Sequence, residues 1–211
     1  MASTDRRDLF DAWARSYDET IESSDAYPFA GYEEILERIA STCRPISGLR
    51  ILDVGIGTGN LAQRLTAPDA EVWGLDFSDE MLEQCRAKLP GAHLIQADLR
   101  QGLPAELPDA FDRIVSAYVL HEFPDNDKLR LLRELAGRLP PGGTLVIGDI
   151  AFADAAAMAT CRQAWKHAWD ENEHYWVAEQ MVPALESLGL DVRFEPLSFC
   201  GGLFTLQGAA R

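Results

Sequence analysis

Residues 51–60 combine an acid with three alternating glycines, in the order Ile-Leu-Asp-Val-Gly-Ile-Gly-Thr-Gly-Asn. The apolar residues around Asp53 predict a buried strand, and Gly55, Gly57 and Gly59 predict a sharp turn into a helix. A glycine tolerates positive φ and lets the backbone lie against a bound molecule. The N–H groups at the start of the next helix would also face that molecule. This spacing therefore favours binding of a nucleotide-like ligand.

A second acid, Asp76, ends the apolar run Val-Trp-Gly-Leu-Asp, 17 residues after Gly59. At the end of a strand its carboxylate could accept hydrogen bonds from both ribose hydroxyls of a nucleoside. A dinucleotide fingerprint has the spacing Gly-x-Gly-x-x-Gly, which would require glycine at position 60. Asn60 stands there instead, so the loop disfavours an NAD-dependent oxidoreductase.

The spacing Asp-x-Gly-x-Gly-x-Gly resembles the first motif of the class I S-adenosylmethionine (AdoMet)-dependent methyltransferases. The likeness covers roughly residues 50–150 and includes the Pro-Gly-Gly loop after the leucine-rich helix. Within the family, the chain looks most similar to short, acidic bacterial methyltransferases of undefined acceptor. The resemblance implies a Rossmann-like, three-layer α/β sandwich, in which a mostly parallel seven-stranded sheet has an antiparallel terminal strand. It also implies AdoMet as the cofactor and S-adenosylhomocysteine (SAH) as the product.

The resemblance also assigns individual cofactor contacts. The glycine loop would hold the methionyl and ribose parts, Asp76 the ribose, and Asp98 with the Leu99 amide the adenine. Met81 either packs on the adenine or belongs to the core of its helix. The expected cofactor contacts are Tyr17, Asp53, Gly55, Gly57, Gly59, Asp76, Phe77, Met81, Asp98, Leu99 and Ser116.

Catalysis is expected after the fourth strand, because the carboxyl ends of strands one and four meet at the switch point of a doubly wound sheet. His121 lies there, and its unperturbed pKa suits a general base at neutral pH. It could instead only hold the loop, and a sulfur or carbanion acceptor would need no base. Asp149 is a weaker alternative. The other three histidines are scattered along the sequence, so we expect no metal site.

One domain over residues 1–211 must position these groups. We expect an N-terminal helical cover at 1–45, an AdoMet-binding core at 50–150, a helical insertion or lid at 154–188 and a terminal hairpin at 190–211. Aromatic residues recur at helical spacing between positions 10 and 17, so this stretch either packs on the sheet or covers the cofactor with Tyr17. The aromatic residues concentrated at 165–176 form either a substrate lid or part of the core.

Composition limits the partners. The chain has 34 acidic and 19 Lys and Arg residues, a formal charge of −15 that would repel a nucleic-acid backbone. No apolar stretch is long enough to span a membrane, and the four cysteines form no Cys-x-x-Cys pair, as expected of a cytoplasmic protein. We therefore expect a small-molecule methyl acceptor, no nucleic-acid or membrane partner, and a monomer or homodimer. The alternatives are a macromolecular acceptor, or a protein that binds AdoMet without catalysis.

Overall fold

The structure is a computed structural model that describes residues 26–208. Its strands are β1 (Arg50–Val54), β2 (Glu71–Asp76), β3 (His93–Gln96), β4 (Arg113–Ala117), β5 (Thr144–Phe152), β6 (Trp176–Val177), β7 (Leu190–Pro196) and β8 (Gly201–Gly208). The sheet has the order β3-β2-β1-β4-β5-β8-β7, and the two-residue β6 pairs with β5. Strands β1 to β5 are parallel, whereas β8 runs antiparallel to both β5 and β7. The predicted fold class is therefore confirmed, with β6 as an additional short strand.

Helices cover both faces of this sheet. They are α1 (Tyr32–Cys43), α2 (Asp79–Lys88), α3 (Asp125–Ala136), α4 (Ala155–Ala164) and α5 (Ala178–Glu186), with 3₁₀ turns at Ala62–Leu65, Leu99–Gln101 and Leu120–Glu122. Leucines of α3 and the buried side of α5 belong to one apolar cluster, and the isoleucines of α1 belong to another. All nine residues of β5 are buried, as expected of a central strand covered on both faces.

The prediction of a helix directly after the glycine loop is wrong, because only the short 3₁₀ turn Ala62–Leu65 forms there. Leu61 and Leu65 are still buried, as their spacing indicated. Pro68 disfavours helical backbone at Ala67, so the chain has little room to extend this turn.

Residues 154–188, expected to be helical, form two helices separated by turns and β6. Most of the aromatic residues between them pack inward: Tyr175 and Trp176 are buried, and Trp165 and Trp169 pack against the cluster that contains α1. The core interpretation of this segment is therefore supported by its packing. The predicted N-terminal helix and Tyr17 lie outside the described residues. Within residues 26–208, no helix combines the length and apolar character needed to cross a bilayer.

Candidate functional site

A cavity of about 740 Å³, including its mouth, lies at the carboxyl ends of β1, β2 and β4. It is lined by Gly55, Gly57, Asp76, Phe77, Met81, Ala97, Asp98, Leu99, Arg100, Ala117, Tyr118, Val119, Glu122 and Phe123. Seven of the predicted cofactor contacts thus share one cavity, although they come from three separate stretches of sequence.

The three glycines of the loop all have positive φ, but they differ in what surrounds them. A Cβ at Gly55 would lie 2.2 Å from Cγ2 of Val119, and one at Gly59 would lie 2.9 Å from Sγ of Cys85. Among residues 26–208, a Cβ at Gly57 would meet no atom within 4 Å. Packing therefore requires glycine at positions 55 and 59, whereas at position 57 it leaves space open beside the cavity.

Asp76 holds this loop with both carboxylate oxygens. Oδ2 accepts a hydrogen bond from the Gly57 amide at 2.9 Å, and Oδ1 accepts one from the Ser78 amide at 2.9 Å. Ser78 in turn caps α2 by accepting from the Met81 amide at 3.1 Å. The acid that ends β2 thus fixes the loop and the start of α2 at the same point.

A second, smaller cavity adjoins the first and shares Gly55, Gly57 and Ala117 with it. Asp53 lines this second cavity, is 1 % exposed, and has no hydrogen-bond partner for Oδ2 among the described residues. Burial, with a smaller contribution from the charge of Asp76, raises the pKa of Asp53 to about 8. A cationic group bound here would stabilise the ionised carboxylate.

The chain leaves β4 through Tyr118, which is the non-glycine residue with positive φ (57°) within residues 26–208. Its ring packs against Tyr32 and Phe29, with ring centroids 5.2 and 5.6 Å away. This unusual backbone turns Val119 over Gly55 and leads into the short helix Leu120–Glu122. Such strained positions are common at functional sites.

His121 lies in this short helix and pairs with Asp149 of β5. Nδ1 of the imidazole is 2.6 Å from Oδ1 of Asp149, and the His121 amide donates to Oδ2 at 3.0 Å. Burial alone would lower the pKa of His121, but Asp149, followed by Glu173 and Glu122, raises it above its ordinary value. Burial would raise the pKa of Asp149, whereas His121 and the donors Ile150 N and Trp176 Nε1 bring it below its ordinary range. The pair is thus an oriented imidazole whose Nε2 forms no hydrogen bond with the residues that the structure describes.

The segment between α4 and α5 is held against this pair by hydrogen bonds. Trp176 Nε1 donates to Asp149 Oδ2 at 3.0 Å, and the His174 amide donates to the His121 carbonyl at 2.7 Å. Lys128 of α3 is fully buried; its Nζ donates to the His174 carbonyl and to Asp125, and lies 4.9 Å from the centre of the Trp176 ring. Strand β5, helix α3 and the segment between α4 and α5 therefore together fix the position of the imidazole.

Two of the predicted contacts line neither cavity. The Ser116 hydroxyl donates to the Val54 carbonyl at 2.8 Å and ties β4 to β1. Gly59 packs against α2. Any cofactor contact by these residues, or by Tyr17 outside the described range, stays a prediction.

The sequence interpretation placed residues 116–121 beside the reacting methyl group but gave Tyr118 and Val119 no role. It missed the lining residue Glu122 and the support from Lys128 and Trp176. One signal was present for Lys128. It precedes Leu131, Leu132 and Leu135 at helical spacing, so it falls on the apolar face of α3, where a charge needs partners.

Comparisons with known proteins agree with this architecture. The model of the methyltransferase domain family matches residues 51–143. An uncharacterised methyltransferase of Geobacillus kaustophilus is 36 % identical over 165 residues, covering 76 % of this chain and 73 % of the relative. One from Bacillus cytotoxicus is 33 % identical over 206 residues, covering 92 % and 94 %. Magnesium protoporphyrin IX methyltransferase from Synechocystis, whose crystal structure contains bound SAH, shares the fold with a TM-score of 0.74. The two sequences are 16 % identical, and the match covers 98 % of this chain and 99 % of the Synechocystis chain.

Proposed function

The chain belongs to the class I AdoMet-dependent methyltransferases, and on that premise we propose that it methylates a small-molecule acceptor. As a member of this family the protein is an enzyme, its cofactor is AdoMet and its product is SAH. The observation that carries the proposal is the pair of joined cavities at the ends of β1, β2 and β4, beside an oriented imidazole.

The residues present fit this cofactor. Gly57 leaves open the space that a Cβ would fill, which allows a ligand to lie against the loop. Asp53 offers a buried carboxylate oxygen without a protein partner in the described chain, as a bound α-ammonium group would require. At the other end, Phe77, Met81 and Leu99 give the larger cavity apolar walls suited to a flat base.

We therefore assign the adenosine end of the cofactor to the larger cavity and the methionyl end to the smaller one. Asp76 would accept from the ribose hydroxyls while it keeps the Gly57 amide, since a carboxylate offers about four lone-pair sites. Asp98 would receive the adenine amino group; its Oδ1 already accepts from the Arg100 amide at 3.0 Å. When bound, AdoMet supplies an activated methyl group on a positively charged sulfur.

The chain's own contribution to catalysis would be positioning, exclusion of water and removal of a proton. Glu122 lines the cofactor cavity, and its neighbour His121 has Nδ1 bonded to Asp149. In the neutral imidazole this bond fixes the proton on Nδ1, so Nε2 can accept a proton from an oxygen or nitrogen acceptor. The Asp149 carboxylate then stabilises the imidazolium that results.

A small acceptor is supported by charge and by enclosure. The formal charge of −15 opposes binding to nucleic acid, and the side chains of His121, Glu122 and Glu173 are only 9 to 17 % exposed. We further propose a reducing, cytoplasmic compartment, supported by four free, buried cysteines in the described chain.

Two measurements test this proposal. Calorimetry should detect AdoMet and SAH binding and no comparable NAD binding. The full chain should then produce SAH with at least one member of a panel of small metabolites. With that acceptor, His121→Gln should reduce the rate by roughly 10²–10⁴-fold, whereas His93→Gln, an exposed histidine at the start of β3, should not.

Each outcome contradicts a different part of the proposal. Failure to bind SAH would refute the cofactor site. Transfer only to a protein or nucleic acid would refute the small acceptor. An unchanged rate in His121→Gln would refute the role of the imidazole as a base.

A further inference from the structure

We propose that His121, Glu122 and Glu173 form a binding site for a divalent transition-metal ion such as Zn²⁺. Nε2 of His121 lies 4.0 Å from Oε1 of Glu122 and 3.8 Å from Oε1 of Glu173. The three potential ligand atoms all lie within 4.8 Å of one another. The sequence pointed away from a metal site because its histidines are scattered, and because Glu173 lies far from His121 along the chain.

The imidazole of His121 is oriented to bind a metal ion through Nε2. Its side chain is 9 % exposed. Within residues 26–208, Nε2 forms no hydrogen bond, and the carboxylates of Glu173 and Glu122 lie 3.8 and 4.0 Å from it. The bond from Nδ1 to Asp149 directs Nε2 toward them. Metal-binding histidines usually carry such a carboxylate on the second ring nitrogen, which fixes the ring and strengthens the ligand.

The backbone fixes the position of Glu173 relative to His121. The next residue, His174, donates its amide to the His121 carbonyl at 2.7 Å, and its own carbonyl accepts from the buried Lys128. Glu122 follows His121 directly in the same short helix. The three ligand atoms therefore converge because the fold brings their backbones together, and small side-chain rotations would adjust the geometry.

The ligand set indicates the kind of ion. Metal–ligand bonds near 2.1 Å place tetrahedral ligands roughly 3.4 Å apart. The two separations between His121 and the glutamates would therefore close by about half an ångström, and the separation between the two glutamates by at most about 1.4 Å. One imidazole beside two carboxylates favours Zn²⁺ over Mg²⁺ and Ca²⁺, which prefer all-oxygen sites. Three protein ligands leave one position of a tetrahedral ion open.

The proposal goes beyond the proposed methyl transfer and does not require it. A metal ion and a proton compete for the same lone pair on Nε2, so the ion-bound protein could not use His121 as a base. Because Glu122 also lines the cofactor cavity, the open position of the ion would lie at the cavity edge, available to an oxygen atom of an acceptor.

Calorimetric titration of the chelator-treated full chain with Zn²⁺ tests the site. We expect one Zn²⁺ per chain, and at least tenfold weaker binding of Mg²⁺. Glu173→Gln and His121→Gln should each weaken Zn²⁺ binding tenfold or more, on the scale typical of metal-site substitutions. Thermal melts and SAH binding, measured on the same variants, would establish that each remains folded.

His93→Gln is the matched control. His93 and Glu71 have nearly the same separation, 3.9 Å, but both side chains are exposed and the pair lacks the enclosed second carboxylate. Zn²⁺ affinity should therefore be unchanged in this variant. Absence of stoichiometric Zn²⁺ binding, or equal loss in His93→Gln, would overturn the proposal, as would unchanged affinity in a folded Glu173→Gln. Each of these results would leave SAH binding, and with it the proposed cofactor site, intact.

Discussion

Replacing Gly57 with valine should remove cofactor binding while the protein stays folded. Gly57 has φ +53°, and a Cβ built there meets no atom of the described chain, residues 26–208, within 4 Å. The side chain would instead project into space that the cofactor needs. The folded state should lose only the cost of left-handed backbone for an L-residue, about 1–2 kcal/mol. For a chain of this length, that lowers the melting temperature by roughly 2–8 °C.

Gly142→Val provides the matched control. Gly142 has φ +82°, and its Cβ would also meet nothing, but it lies in the turn between α3 and β5, away from both cavities. The two variants should therefore lose similar stability and differ only in ligand binding.

The assay is thermal unfolding with and without SAH, supported by calorimetry. SAH at 100 times its Kd should stabilise the wild type and Gly142→Val by about 2.7 kcal/mol. Gly57→Val should gain nothing. A normal SAH-dependent shift in Gly57→Val would refute the reasoning, because it would mean that the loop does not approach the cofactor.

Three further variants test neighbouring charges. Asp76→Ala should weaken SAH binding by about 1.5–3 kcal/mol, the scale of charged hydrogen bonds. It should also lower the melting temperature, because two backbone amides lose their acceptor. Unchanged affinity in calorimetry would contradict the ribose contact. Burial and Asp76 raise the pKa of Asp53 to about 8, so its contribution to stability is fully present below the unfolded value near 3.9 and is lost as pH rises through 8. In thermal melts without ligand, Asp53→Asn should remove this loss of stability with rising pH. A pH profile of stability identical to that of the wild type would contradict the raised pKa of Asp53. Asp149→Asn should lower the pKa of His121 in an NMR titration, because burial then acts without the opposing carboxylate; an unchanged pKa would show that the pair is not coupled.

The amino-acid sequence determined the features that depend on neighbouring residues. Glycine spacing predicted a loop with positive φ at positions 55, 57 and 59, because few other residues adopt that backbone. Apolar runs predicted the strands that contain Asp53 and Asp76. The position of Asp76 followed as well, since an acid directly after a buried strand must lie at the ligand-binding edge of a parallel sheet.

The tertiary structure alone decided which distant groups meet. His121 and Asp149 are 28 residues apart, and Lys128 and His174 are 46 apart. Periodicity gives the face on which a residue lies, but not which strand lies beside it or where a connecting segment returns. The pairing of β4 with β5 and the docking of the segment around Glu173 supply that information. For this reason the glycine loop and the acid that line the cavity could be predicted from sequence, whereas the imidazole, its partner carboxylate and the two nearby glutamates come together only in the fold.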